Sequence, residues 1–172
     1  MSPSSLGSEV GSSSKARSGH KARFEAEDRS WVLSLWSDRF GIPEEAFFGY
    51  SFYRMARNIW AFRGPPLPRM SFETVGLRIV SLKEDLWKPT TSAIQVFGSM
   101  ATKNVVRLVE RDAWEFMAGG TLEISADVEP GYVVVMSGED ILGCGLYSRG
   151  KLISQVPKDR RLQAEAGDIL CS

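Results

Sequence analysis

Histidine is almost absent from this chain of 172 residues, since His20 is the only one. Histidine is the side chain that most often acts as a general base, so a histidine-dependent triad or general base is excluded. The two cysteines, Cys144 and Cys171, are too few for a disulfide framework. No group of Cys, His, Asp and Glu has the spacing of metal ligands. The sequence therefore predicts a protein that is not an enzyme and holds no metal or cofactor.

Long hydrophobic runs and net charge are absent as well. No run approaches the roughly 18 apolar residues that cross a membrane, and the N-terminus lacks the apolar core of a signal peptide. The 21 basic and 21 acidic residues balance, so nucleic-acid binding by bulk attraction is excluded and would need a local patch. A free cysteine in the apolar run ILGCGLY fits a reducing compartment. We expect a cytoplasmic protein without a membrane partner.

The composition divides the chain into three parts. Residues 1–23 are rich in serine and glycine and predict a disordered tail, whose basic residues either grip a polyanion weakly or are simply solvated. Residues 24–100 mix helical and strand patterns and predict an α+β domain. Residues 101–172 carry short strands separated by the turn signals EPG, SGED and SRG, which is typical of a small mixed β-barrel.

Local signals predict the main elements of the first two thirds. A helix is expected in DRSWVLSLWSDRFG, capped by Asp28 or Ser30 and ended by Gly41. The aromatic segment FFGYSFYRMARNIWAF predicts a hairpin. A short helix is expected in RDAWEFMAGG, with Asp112 and Glu115 as a variant of the capping box at its start.

Basic residues concentrate near the end of the predicted barrel. Five of the eight Lys and Arg residues of 101–172 fall within residues 149–161, against one acid, Asp159. They are Arg149, Lys151, Lys158, Arg160 and Arg161. Such a window is typical either of an edge strand protected by charge or of a phosphate-binding site. Composition alone does not decide between the two.

A second basic segment is LWKPTTSAIQVFGSMATKNVVRL. It places Lys88 just before a predicted helix and Thr90 or Thr91 at its cap, followed by Lys103 and Asn104. A helix start with hydroxyls and a lysine favours anion binding, while an ordinary capped helix would show the same residues without any ligand. Both interpretations stay open.

These two segments also carry a family resemblance. The stretch GYVVV followed by ILGCGLYSRGKLISQVPKDRR resembles the PUA-type RNA-binding domain. More narrowly, GLRIVSLKEDLWKPTTSAIQVFGSMATKNVVRLVERDAWEFMAGG together with LGCG and SQVPKDRR is similar to the C-terminal region of archaeal Sun/Nop-family RNA cytosine-5 methyltransferases. The order of parts also resembles the Nip-seven type of ribosome-assembly protein, in which a small α/β domain precedes a PUA domain. The resemblance covers about residues 40–161.

The resemblance implies an RNA pocket between the glycine-rich strand and the first helix of the PUA fold. The residues implied to bind RNA are Gly143, Gly145, Lys151, Ser154, Lys158, Arg160 and Arg161, with Thr90, Lys103 and Asn104 as secondary candidates and Arg149 added from the charge pattern. Full methyltransferases of this family carry a glycine-rich cofactor loop and two catalytic cysteines, one after a proline. Neither Cys144 nor Cys171 follows a proline, so methyltransferase activity is not carried over.

The leading hypothesis is a non-catalytic RNA-binding protein that acts on rRNA or tRNA in modification or ribosome assembly, with an RNA-modifying enzyme or an assembly protein as a further partner. One alternative is a protein-interaction adaptor, in which the aromatic side chains of the first domain form an exposed patch. These are Trp36, Phe47, Phe48 and Tyr50. Another alternative is the RNA-binding subunit of a separately encoded RNA methyltransferase.

Overall fold

The computed structural model describes residues 23–68, 74–84 and 86–163. The predictions for the tail up to residue 22, for His20 and for Cys171 lie outside these residues. Within them the chain forms three α-helices: α1 (Arg29–Phe40), α2 (Thr91–Phe97) and α3 (Glu110–Met117). Short 3-10 helices occupy Glu44–Phe47, Gly98–Met100 and Lys158–Arg160. No helix in the described ranges is long and apolar enough to cross a membrane.

The first sheet is an antiparallel meander in chain order. Its strands are β1 (Glu25–Ala26), β2 (Tyr50–Met55), β3 (Asn58–Arg63), β4 (Leu77–Lys83) and β5 (Leu86–Pro89). The predicted hairpin is confirmed as β2 and β3, which pair from Tyr50 opposite Arg63 to Met55 opposite Asn58. A register shift between Ile59 and Trp60 marks a bulge against β4, which twists the sheet locally.

Helix α1 begins and ends where its capping residues predict. The Asp28 carboxylate accepts a hydrogen bond from the Trp31 amide at 2.6 Å, satisfying a donor that has no partner within the helix. Gly41 takes the left-handed conformation with φ of 62°, and its amide donates to the Ser37 carbonyl. The buried face of α1 consists of Val32, Trp36 and Phe40, four residues apart, so the predicted helix is confirmed.

The second sheet is mixed, with strand order β6-β8-β9-β10-β7. Its strands are β6 (Val105–Arg107), β7 (Thr121–Glu123), β8 (Gly131–Ser137), β9 (Asp140–Ser148) and β10 (Lys151–Ser154). Strands β6 and β8 are parallel and the other pairs are antiparallel. The mixed sheet that the turn signals predict is present, but its closure into a barrel is not shown, because no ladder joins the edge strands β6 and β7 in the described residues.

Strand β8 connects the two halves of the chain through the core. Val134 and Met136 on one face of β8 pack with Trp36, Phe97 and other residues of the first sheet and its helices. Val133 and Val135 on the other face pack with the α3 side of the sheet. The run VVVM is apolar throughout because this strand is covered on both faces. The two sheets therefore pack together through one apolar core, and a second core lies between the second sheet and α3.

The start of α3 differs from the prediction. Its N-cap is Val109, which provides no side-chain hydrogen bond, so the predicted capping box of Asp112 and Glu115 is wrong. Instead, Glu110 and Asp112 both lie in the first turn, where carboxylates interact favourably with the positive end of the helix dipole. The predicted end is correct, since Gly119 follows the helix with φ of 92°.

The predicted exposed aromatic patch of the first domain is wrong. Trp36 and Phe47 are completely buried, with ring centroids 5.8 Å apart. Tyr50 is half-buried and packs edge-on against Phe97. Only Phe48 is exposed, at 78%. Three of the four aromatic residues on which the adaptor hypothesis depended therefore belong to the core or pack against it.

Cys144 is the free cysteine of the described residues and is fully buried at the junction of the two sheets. Burial raises the pKa of its thiol from 9.0 to about 12, against the opposing positive charges of Lys88 and Arg39. Since the unfolded thiol loses its proton first, the stabilisation is complete below pH 9.0 and is lost as the pH rises toward 12. We expect the stability advantage of wild type over Cys144→Ala to shrink in that window, as measured by urea unfolding. An advantage that does not change with pH would contradict a buried neutral thiol.

Candidate nucleic-acid interface

The start of α2 is tied to the first sheet by Thr90. This residue has extended backbone geometry, and its hydroxyl oxygen accepts from the Ala93 amide at 3.1 Å. The same hydroxyl donates to the Arg78 carbonyl of β4 at 2.6 Å. The Thr90 hydroxyl therefore both donates and accepts a hydrogen bond within the protein. Its part in RNA binding stays a prediction, and the geometry shows Thr90 as the helix cap.

Gln155 joins the segment after β10 to the start of α2. Its side-chain oxygen accepts from the Lys88 ammonium at 2.6 Å, and its backbone carbonyl accepts from the Thr91 hydroxyl at 3.3 Å. Its amide donates to the Cys144 carbonyl, which continues the pairing with β9. The Lys88 ammonium also lies 5.9 Å above the Tyr132 ring, and burial raises the pKa of the Tyr132 hydroxyl. These contacts hold Lys88 beside the segment that follows β10.

Arg160, from the C-terminal part of the chain, also contacts the start of α2. It lies in the 3-10 helix Lys158–Arg160, and its guanidinium donates to the Ser92 hydroxyl of α2 at 2.8 Å. Lys158 belongs to the same turn and is exposed, as is Asp159. We call Lys88, Lys158 and Arg160, with Ser92 and Gln155 between them, the basic cluster. In the part of the chain that the structure describes, none of its three cations forms a salt bridge.

Arg161 does not join the basic cluster. Its guanidinium donates to the Val156 carbonyl at 3.2 Å, and the side chain packs over Gly119 behind α3. The next amide, that of Leu162, donates to the Met117 carbonyl at 3.1 Å. These contacts hold the end of the described chain against α3. Of the three predicted basic residues in this turn, Lys158 and Arg160 are exposed and Arg161 is partly buried.

Arg149 and Lys151 lie at the opposite end of β10. Arg149 occupies the turn between β9 and β10 with φ of 52° and is exposed. Lys151 pairs with Glu123 at 3.5 Å, an exposed ion pair of small energetic value. Ser154, at the other end of the strand, is buried, and its hydroxyl accepts from the Val156 amide. The structure therefore does not bring the turn and the basic cluster together.

The two predicted glycines are buried inside the second sheet. A Cβ on Gly143 would lie 2.7 Å from the Thr91 methyl group, and one on Gly145 would lie 2.6 Å from a methyl group of Leu152. The close approach that the resemblance assigns to RNA is therefore made here by the protein's own side chains. Gly143 lets α2 pack onto β9, which positions the basic cluster.

Lys103 and Asn104 lie at another junction. Asn104 is buried and has a left-handed backbone conformation with φ of 54°. Its side-chain NH2 group donates to the Arg39 carbonyl at 2.7 Å and to the Glu129 carboxylate at 3.2 Å. Its side-chain oxygen accepts from the backbone amide of Glu129. Arg39 also donates to the Tyr132 carbonyl, and burial lowers the pKa of its guanidinium although Glu129 opposes this. Lys103 is exposed beside the end of α1. Asn104 thus has a structural role in the described residues.

Three residues of the basic cluster, Lys88, Ser92 and Gln155, were not among the predicted RNA-binding residues, and of these only Lys88 was noted in the second basic segment. Ser92 follows the cap in TTS, and Gln155 lies between β10 and the basic turn in SQVPK. Both are ordinary polar residues in sequence, and only their contacts with Arg160 and Lys88 mark them. Together the cluster offers cations and a hydroxyl to an anion, as phosphate recognition requires. No group of side chains in the described residues has the composition of a metal site.

A family match covers the part of the chain that holds the basic turn. Residues 103–162 match the family described as the methyltransferase RsmF PUA domain. This segment spans β6 to β10 and the basic turn, so this part of the chain is similar to a PUA domain, a class of RNA-binding domain. Through it the protein is related to the Sun/Nop-family RNA methyltransferases, as the resemblance predicted. No curated protein matches the chain.

Proposed function

We propose that the protein binds structured rRNA or tRNA through the basic cluster, and that it serves RNA modification or ribosome assembly in the cytoplasm without catalysis of its own. The observation that carries this proposal is the contact between Arg160 and Ser92. It brings the basic turn of the PUA domain onto α2, beside Lys88 of the first sheet. Cations from two segments far apart in the chain, β5 and the 3-10 turn Lys158–Arg160, are therefore brought to the start of α2.

The charges of the basic cluster suit a phosphate backbone. Cations without carboxylate partners release counterions when they neutralise phosphates, which gives affinity without a requirement for sequence. Double-stranded RNA is recognised mainly by its shape and its backbone, so a small rigid surface can bind it. Contacts from about three cations predict a log–log salt slope of roughly −2 to −3. The affinity should therefore be moderate and strongly dependent on salt.

We expect Lys158→Ala/Arg160→Ala to weaken binding to bulk tRNA by about tenfold or more at low salt and to reduce the salt slope by about 2. Fluorescence anisotropy across a salt series measures both quantities. Arg107→Ala/Arg111→Ala removes the same number of exposed charges elsewhere and should have a much smaller effect. Equal losses in the two double variants would contradict a localised site. The absence of tRNA binding by wild type at low salt would contradict the proposed function.

A second candidate function is that of the RNA-binding subunit of a separately encoded RNA methyltransferase. It is favoured by the family match, because that PUA domain is described as part of a methyltransferase. In this case the chain would stimulate a partner enzyme on structured RNA, and Lys158→Ala/Arg160→Ala would remove the stimulation. Methylation assays with and without the chain test this. Stimulation that survives the double substitution would contradict the role of the basic cluster.

A further inference from the structure

The first sheet carries aromatic side chains on the face turned away from its core. Phe52 of β2 and Ala61 of β3 point into the core, so alternation places Tyr53, Trp60 and Phe62 on the other face. None of these three belongs to either hydrophobic core cluster, and each is partly exposed. We call this side of β2 to β5 the outer face.

The strand register lines up the outer-face residues across the sheet. Tyr53 pairs with Trp60, and Trp60 pairs with Arg78 of β4. Directly opposed residues in antiparallel strands have Cβ atoms about 5 Å apart, so the three side chains form one row. Phe24 packs edge-on against Trp60 at 5.8 Å, and the Tyr53 hydroxyl accepts from the Leu67 amide at 3.3 Å. The two aromatic rings are thereby fixed in position next to an exposed guanidinium.

The outer face has one sign of charge. Alternation from Arg78 and the bulge in β4 place Lys83 and Lys88 on it as well. No Asp or Glu occupies an outer-face position in the described residues of β2 to β5. Such a face, aromatic with only positive charges, is complementary to a polyanion that carries planar bases.

The outer face continues into the basic cluster. The Arg78 carbonyl accepts from Thr90, and Ser92, two residues further along the chain, accepts from Arg160. Lys88 belongs to both surfaces, since it lies in β5 and bonds Gln155. The two surfaces therefore adjoin at Lys88, so that one RNA can contact both.

We propose that the outer face binds a single-stranded segment of the RNA, with bases stacked on Tyr53 and Trp60 and phosphates beside Arg78. This inference rests on the proposed function, because it assigns a second contact of the same RNA. Bases that are not paired offer their faces to aromatic side chains, and stacking contributes about 1–3 kcal/mol per base without sequence preference. The preferred ligand is therefore an RNA in which a structured region adjoins a single strand.

The test compares two RNAs, a hairpin and the same hairpin with a single-stranded oligouridine extension, by fluorescence anisotropy with the full chain. Wild type should bind the extended RNA about tenfold more tightly than the hairpin alone. Trp60→Leu and Arg78→Ala should each reduce this ratio severalfold and leave hairpin binding unchanged. Trp60→Phe keeps an aromatic ring and should retain most of the ratio. Phe48→Leu, at an exposed aromatic position off the outer face, is the matched control.

The outcomes separate the two proposals. If wild type binds both RNAs equally, and hairpin binding depends on Lys158 and Arg160, the outer face is not an RNA surface while the proposed function stands. A tenfold ratio that persists in both Trp60→Leu and Arg78→Ala also overturns the inference. If neither RNA binds, both proposals fail. Thermal melting of each variant shows that it is folded, and Arg78→Ala, at an exposed position, tests the inference even if Trp60→Leu unfolds.

Discussion

Replacement of Asn104 by alanine should lower the free energy of unfolding by about 3 kcal/mol. The substitution removes hydrogen bonds to the Arg39 carbonyl and to the carboxylate and amide of Glu129, and it leaves two backbone groups without partners at a buried site. It also forces alanine into a left-handed conformation, φ of 54°, that asparagine tolerates better. The loss should be large because Asn104 connects the end of α1 to the loop before β8.

Urea unfolding measures this loss, and Lys103→Ala provides the matched control. Lys103 is the exposed neighbour of Asn104, so its truncation should change stability by less than about 0.5 kcal/mol. The RNA affinity of folded Asn104→Ala should equal that of wild type, because all polar atoms of this side chain bond within the protein. Normal stability together with weaker RNA binding would instead return Asn104 to the RNA interface.

The elements that the sequence predicts well are those fixed by neighbouring residues. Helix α1 has its cap and its ending glycine inside the same short segment, and the hairpin of β2 and β3 pairs residues close in sequence. By contrast, β5 was not predicted, since the four residues Leu86–Pro89 become a strand only by pairing with β4. The capping box of α3 was wrong because a sequence match does not fix where the helix begins, and it begins at Glu110.

The contacts of the candidate site are even harder to predict from the sequence than the elements of the fold. The sequence identifies a basic window near the end of the chain, and Lys158 and Arg160 do lie exposed there. It does not show that Arg161 bonds the Val156 carbonyl or that Lys151 pairs with Glu123. Charge alone cannot separate these cases, because each depends on a partner brought near by the fold.

The same reasoning applies to polar and aromatic residues far apart in the chain. Asn104 bonds Arg39 across 65 residues, and Lys88 bonds Gln155 across 67, so no local pattern indicates either contact. The outer face is similar, since its row of Tyr53, Trp60 and Arg78 follows from the register of three strands and a bulge. Family resemblance supplied the RNA-binding class, while the structure supplied which residues share a surface.

Substitution of Gly145 by valine should lower the free energy of unfolding by about 3 kcal/mol. The Cβ atom alone would lie 2.6 Å from a methyl group of Leu152 and 2.9 Å from a methyl group of Val135, two completely buried side chains. Because neither neighbour has free space, the sheet must shift or the side chains must leave their preferred rotamers. Thermal and urea unfolding measure the loss. Gly138→Ala, at a turn with nothing within 4 Å of the added atom, carries only backbone strain and should cost about 1 kcal/mol.

A second variant distinguishes overpacking from an RNA contact at Gly145. Leu152→Ala opens space beside this glycine, so Gly145→Ala/Leu152→Ala should be more stable than the sum of the two single effects, by about 1 kcal/mol. Additive effects would show that Leu152 is not what excludes a side chain there. If Gly145→Ala instead unfolds like wild type but loses RNA affinity, RNA approaches this strand directly. The buried position of Gly145 leads us to expect the first result, in which this glycine supports the fold and the basic cluster contacts the RNA.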